Sequence, residues 1–168
     1  MRAAHTQLRF DSLEQEAFLN LWRTFDRLRL LDEQVFGKVD LTPQQYNALR
    51  ILKAHRPARL PTLVLSSRLI SRAPDITRLL DRLVQRGLIV RERLPDNRRV
   101  VEVGITDAGM ELLDSLETEI HNLGRRQLGH MSVEELEQLI ALLARARQPH
   151  EPRESSWKTS ACGDPRTC

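Results

Sequence analysis

Residues 71–106, SRAPDITRLLDRLVQRGLIVRERLPDNRRVVEVGIT, leave this chain few folds to choose from. Ser71 can cap orphan backbone N–H groups, and Pro74 suits a first helical turn, where its missing donor costs nothing. Ile76, Leu79, Leu80 and Leu83 recur at i, i+3, i+4 and i+7, which predicts a helix over 71–86 with one buried face. Pro74, Arg78, Asp81, Arg82 and Gln85 fall on the opposite face, and Gly87 can end the helix in the left-handed conformation. Two strand-like runs follow, 88–94 and 99–105, joined by Pro95, Asp96 and Asn97. Val101, Val103 and Ile105 alternate with Glu102 and Gly104, the period of a half-buried strand. An arginine-bearing helix followed by a hairpin with arginines at its tip matches the way a winged helix-turn-helix reads DNA.

Charge supports that partner. From residue 71 to residue 99 there are eight arginines against four acids, an excess of +4, whereas the whole chain carries only +3. Such a local excess is what phosphate binding needs, although a solvated charged face gives the same count. Aromatic residues make up 4% of the chain, too few for a surface that stacks single-stranded bases. No apolar run is long enough to cross a membrane and no charged-then-apolar leader follows Met1, so the protein is expected to be cytoplasmic. Cys162 and Cys168 sit in a polar tail and read as incidental thiols. The five histidines match no ligand spacing, so neither a metal site nor another cofactor is expected. Ser66, Ser67 and Ser71 lack a paired histidine and carboxylate, and no glycine-rich phosphate loop occurs, which argues against an enzyme.

The rest of the chain frames the central stretch. Residues 1–12 read as a flexible lead-in. Leu13, Ala17, Leu21, Phe25 and Leu28, broadened by Phe18 and Trp22, predict an amphipathic helix over 13–36 that ends near Gly37. Its stripe is wider than a surface helix needs; core packing and burial against a partner both account for it. Thr42-Pro43-Gln44-Gln45 is a helix start with a threonine cap, proline first and glutamine third. Residues 60–69 read as a short helix with Leu60, Leu63, Val64 and Leu69 inward, the first half of a helix-turn-helix. After the hairpin, Thr106-Asp107 caps a helix whose Met110, Leu113, Leu116, Ile120 and Leu123 form a seam. Ser132-Val133-Glu134-Glu135 is a capping box opening a last amphipathic helix to about residue 147. Residues 149–168 hold little to bury and are expected to be disordered.

The expected architecture is therefore mainly α with a small β-hairpin: a winged helix-turn-helix domain over 13–148. Its DNA-binding lobe spans about 41–106, with N- and C-terminal dimerisation helices at about 13–36 and 107–147. Pairing the end helices with a second copy would set two recognition helices about one DNA turn, ~10 base pairs, apart.

Four segments, LTPQQYNALRIL, ITRLLDRLVQRGLI, RERLPDNRRVVEVGITDAG and MSVEELEQLIALL, resemble the MarR-type winged-helix transcriptional regulators. The resemblance implies an obligate homodimer on a pseudo-palindromic double-stranded operator, usually a repressor released by a small, often phenolic effector. It implies that Pro74 and Arg78 meet base edges in the major groove, and an arginine there can grip guanine through two hydrogen bonds. Asp75 stands where a small hydroxyl residue is usual, so it either accepts from a cytosine amino group or weakens binding. Thr77 and Arg82 fit phosphate contacts. In the wing, 94–99, Asn97 occupies the place of the family's aspartate, followed by Arg98 and Arg99. Arg98 is the candidate for the minor groove, and Asp96, one residue early, the candidate brace. The family's redox branch uses a cysteine near the N-terminus, and none is present. Trp22, Phe25, Arg29 and Tyr46 are the candidate walls of an effector pocket, or simply core. A winged-helix module that holds acidic proteins without reading DNA is the alternative.

Overall fold

A computed structural model describes residues 10–70, 75–94 and 97–151. Six helices and three short strands follow one another: α1 Leu13–Phe36, α2 Pro43–Lys53, β1 Leu60–Pro61, α3 Thr62–Arg68, α4 Ile76–Gln85, β2 Ile89–Leu94, β3 Asn97–Ile105, α5 Asp107–Leu128 and α6 Val133–Arg147.

Local chemistry sets most of the boundaries. Thr42 closes a capping box on α2: its side chain accepts from Gln45 N–H, and the Gln45 side chain accepts from Thr42 N–H. Ser132 and Glu135 do the same for α6. Gly87, at φ 68°, turns the chain out of α4, and Leu88 N–H returns to the Leu83 carbonyl at 3.0 Å. The Thr106 hydroxyl donates to the Gly87 carbonyl at 2.7 Å and accepts from Gly109 N–H, which pins the start of α5 to that turn. Gly109 lies so close that an added Cβ would sit 2.3 Å from the Leu88 carbonyl oxygen.

Two expectations need correction. Leu60 and Pro61 are not helical: they pair antiparallel with Val103 and Glu102, so the hairpin is a three-stranded sheet in the order β1-β3-β2. Helix α3 consequently begins at Thr62, with Leu60, Val64 and Leu69 in or against the core as expected. Leu65 is fully buried, while Leu63, expected inward, is 85% exposed. The second correction concerns α4. It starts at Ile76, and its cap is Asp75, whose Oδ1 accepts from Arg78 N–H at 2.9 Å. Ser71 and Pro74, expected at the helix start, lie outside the described residues, as do Asp96 in the wing and the tail beyond Glu151. Strand β3 begins at Asn97 rather than Arg99, and the β2–β3 register slips between Arg93 and Leu94.

The end helices differ in what covers their apolar residues. Leu113, Leu116 and Leu123 of α5 belong to one core with Phe36, Leu49, Leu52, Leu80, Leu83 and Ile89. The α5 seam is therefore satisfied within the chain. Only the last part of α1 joins that core, through Leu31, Val35 and Phe36. Gln127 of α5 donates to Asp32 Oδ1 at 2.7 Å and to the Leu28 carbonyl at 3.3 Å, fastening the two helices there. N-terminal to this junction the apolar stripe of α1 faces solvent: Leu13, Phe18, Leu21, Trp22 and Phe25 are all exposed, as are Ile140 and Leu142 of α6.

Candidate nucleic-acid interface

Helix α4 separates its residues by chemistry. Leu79, Leu80 and Leu83 are buried, whereas Asp75, Thr77, Arg78 and Arg82 are exposed. Among the described residues, no hydrogen bond or ion pair engages the guanidinium groups of Arg78 and Arg82. Asp81, one turn beyond Arg78, is the obvious partner for it, yet Asp81 accepts from Arg91 of β2 instead. Two cations are thus left open on the outward face of a helix.

Arg78 and Arg82 flank a cleft of about 330 Å³ whose other walls are Asp75, Leu79, Thr42, Gln44 and Gln45. The opposite wall is the N-terminus of α2, where the positive end of the helix dipole favours an anion. The Asn47 side-chain oxygen accepts from Ile70 N–H at 3.1 Å, tying α2 to the end of the α3 segment. The sequence carried the Thr42–Gln45 box plainly, but not that its helix end would face the recognition helix.

The other arginines of the basic stretch are not equivalent. Arg86 donates to the Val39 and Asp40 carbonyls and locks the C-terminal end of α4 to the turn after α1. Arg91 is committed to Asp81, and Arg93 is exposed. Arg98 and Arg99 lie at the start of β3, near the wing tip, with their side chains outside the described set. The wing root is held by an Arg59–Glu92 ion pair and by Thr62 Oγ1, which donates to the Val101 carbonyl at 3.0 Å. Pro74 and Asp96 cannot be placed, being outside the described residues.

The four effector-pocket candidates do not share one wall. Trp22 packs on Phe18, with ring centroids 6.1 Å apart, and lines a shallow groove with Phe10, Leu19 and Arg23. Phe25 is exposed one turn further on. Arg29 bridges Asp26 and Glu33 along its own helix at 3.7 and 3.3 Å. Tyr46 lies against Phe36, at 4.9 Å between centroids, and burial pushes its hydroxyl pKa up.

The architecture and this interface recur in known proteins. Residues 41–101 match the model of the MarR family. The chain is 32% identical over 148 residues to the HTH-type transcriptional regulator YkoM of Bacillus subtilis (strain 168), covering 83% of this chain and 92% of that one. A crystal structure of a MarR transcription factor from Planctomyces limnophilus is 52% identical, with a TM-score of 0.65, over 82% of this chain and 99% of that one. Sco3205 of Streptomyces coelicolor, a MarR family regulator solved in complex with DNA, shares the fold at 19% identity and a TM-score of 0.76, over 90% and 96% of the two chains. The family comprises transcriptional regulators rather than enzymes. With its winged fold, its open arginines and these relatives together, the chain belongs to the MarR family and is a DNA-binding transcriptional regulator.

Proposed function

We propose that two copies of this chain bind a pseudo-palindromic duplex, α4 of each in a major groove and each wing against the neighbouring minor groove, and that the complex represses transcription in the cytoplasm. The observation that carries the assignment is the pair of guanidinium groups on α4, Arg78 and Arg82, that have no partner among the described residues. Arg78 reads base edges, for which a two-hydrogen-bond grip on guanine is suited. Thr77 and Arg82 hold phosphates and set register. Asp75 spends one carboxylate oxygen on its cap, leaving the other to accept from a cytosine amino group. Arg98 and Arg99 serve the wing, with Asp96 as the brace. The exposed stripes of α1 and α6 pair the two copies.

A small aromatic effector would lower DNA affinity by binding better to a dimer whose heads are wrongly spaced. Trp22, Phe25, Arg29 and Tyr46 remain its candidate contacts, with a hydroxybenzoate as the first probe.

Selection of bound duplexes from a random pool tests the assignment. The expected product is a two-fold-related site with half-site centres about one helical turn, ~10 base pairs, apart. Affinity should fall steeply with salt. Arg78→Ala should lose about 1–3 kcal/mol of discrimination at one position per half-site. Arg98→Ala should weaken all duplexes alike and flatten the salt slope by about one unit. A pool without sequence preference would favour the protein-interaction module instead.

A further inference from the structure

We propose that Arg91 is a positioning residue for DNA reading: it holds Asp81 at the root of the wing and so keeps that carboxylate away from Arg78. The inference rests on Arg78 reading bases, as assigned above.

Asp81 is the acid that α4 places one helical turn beyond Arg78, beside Arg82. Opposite charges three apart on a helix face attract each other. A free Asp81 would therefore compete with DNA for Arg78. In the structure its Oδ1 accepts from Arg91 Nη1. Arg91 stands on β2 opposite Val103, in the strand pair that forms the wing root. Its side chain is only 22% exposed, and its Nε is shielded from water with no hydrogen-bond partner among the described residues. An orphaned buried donor is costly, so this guanidinium is held for what its far end does rather than for the comfort of its stem. The next residue, Glu92, pairs with Arg59 from the segment before β1. Consecutive residues of one strand alternate in direction, so β2 is gripped towards α4 by residue 91 and away from it by residue 92. One ion pair thus fixes the recognition helix to the wing and clears the reading arginine.

The test compares Arg91→Gln, Asp81→Asn, the double variant and Arg78→Ala, each measured on the duplex the wild type selects and on a scrambled duplex, with melting temperatures alongside. Arg91→Gln should lower the specific-to-scrambled affinity ratio about tenfold, within the range that contacting residues couple. Asp81→Asn should leave the ratio near the wild-type value, and adding Asp81→Asn to Arg91→Gln should restore most of the loss. A purely structural brace would show the reverse pattern, with both single variants and the double equally impaired. An unchanged ratio in Arg91→Gln, or a double variant no better than Arg91→Gln, overturns the proposal. Arg91→Met, which keeps an unbranched stem without the charge, carries the same prediction if Arg91→Gln does not fold. Loss of discrimination in Arg78→Ala with none in Arg91→Gln rejects the positioning role alone. No loss in Arg78→Ala removes the base-reading assignment, and the proposal with it.

Discussion

The DNA-reading lobe and the N-terminal two-thirds of α1 dispose of their apolar residues in opposite ways. In the lobe, Leu49, Leu52, Leu65, Leu80, Leu83 and Val103 are sealed from solvent, and Arg78 and Arg82 are left outside. Along α1, Leu13, Phe18, Trp22 and Phe25 are outside, and the helix first becomes well buried at Val35. A stretch that exposes large side chains at helical spacing gains little from folding alone, because each would stabilise by about 1.5–3 kcal/mol only when removed from water. The lobe is complete within one chain; the stripe is complete only against something else. That difference is the basis for the proposed division of tasks between reading and pairing.

The sharpest way to break the comparison is a charge in the stripe. Phe25→Asp should leave the lobe folded but separate the copies, so that full-site affinity drops by roughly 10²–10⁴-fold as the second half-site ceases to be held in place. Sedimentation and titration of full-site and half-site duplexes check both parts. A stable wild-type monomer, or a Phe25→Asp variant that still binds the full site tightly, would show that the stripe does not pair copies.

A truncation in the lobe should behave differently. Leu80 is fully buried between α4 and the rest of the core, and Leu80→Ala should cost about 2–5 kcal/mol. This loss belongs to the chain itself. It should appear as a lower melting temperature with an unchanged sedimentation coefficient, whereas the pairing of copies makes wild-type melting depend on protein concentration. An equal loss from Phe25→Ala and Leu80→Ala in dilute protein would erase the distinction between the regions.

What the sequence disclosed follows the same division. Periodicity and caps placed α1, α2, α6 and the start of α5 to within a residue or two, because the signals for a helix lie inside the helix. A stripe says that a face is covered, not by what. Hence Leu113, Leu116 and Leu123 of the α5 seam are covered by this chain, while the α1 stripe is open. Strand β1 was illegible because its two residues are strands only by virtue of Val103 and Glu102, some forty positions away. Missing it misplaced the start of α3. At α4 the start was read from Ser71 and Pro74, whereas the observed cap is Asp75, directly before the apolar repeat. The open state of Arg78 was also hidden, since Asp81 lies one helical turn beyond it and only the fold brings Arg91 in to take that acid.

The smallest effect lies at the border between the regions, where Asp32 of α1 meets Gln127 of α5. Burial pushes the Asp32 carboxyl above its ordinary value of 3.8, against the opposing pull of the Gln127 hydrogen bond, and the nearby Glu33 charge adds to the rise. The folded state therefore binds this proton more tightly than the unfolded chain does. Its stabilising contribution is fully present below the ordinary value and is lost as pH climbs through the raised one, after which the ionised carboxylate is a constant small burden. Asp32→Asn is neutral at every pH and retains an oxygen to accept from Gln127. Its melting temperature should exceed that of the wild type at neutral pH by no more than about 2 °C, given how exposed the group is. The gap should close on acidification towards about pH 3. Melting curves of both proteins across that range decide the matter: a gap that stays constant would mean that the α1–α5 junction does not sense this proton.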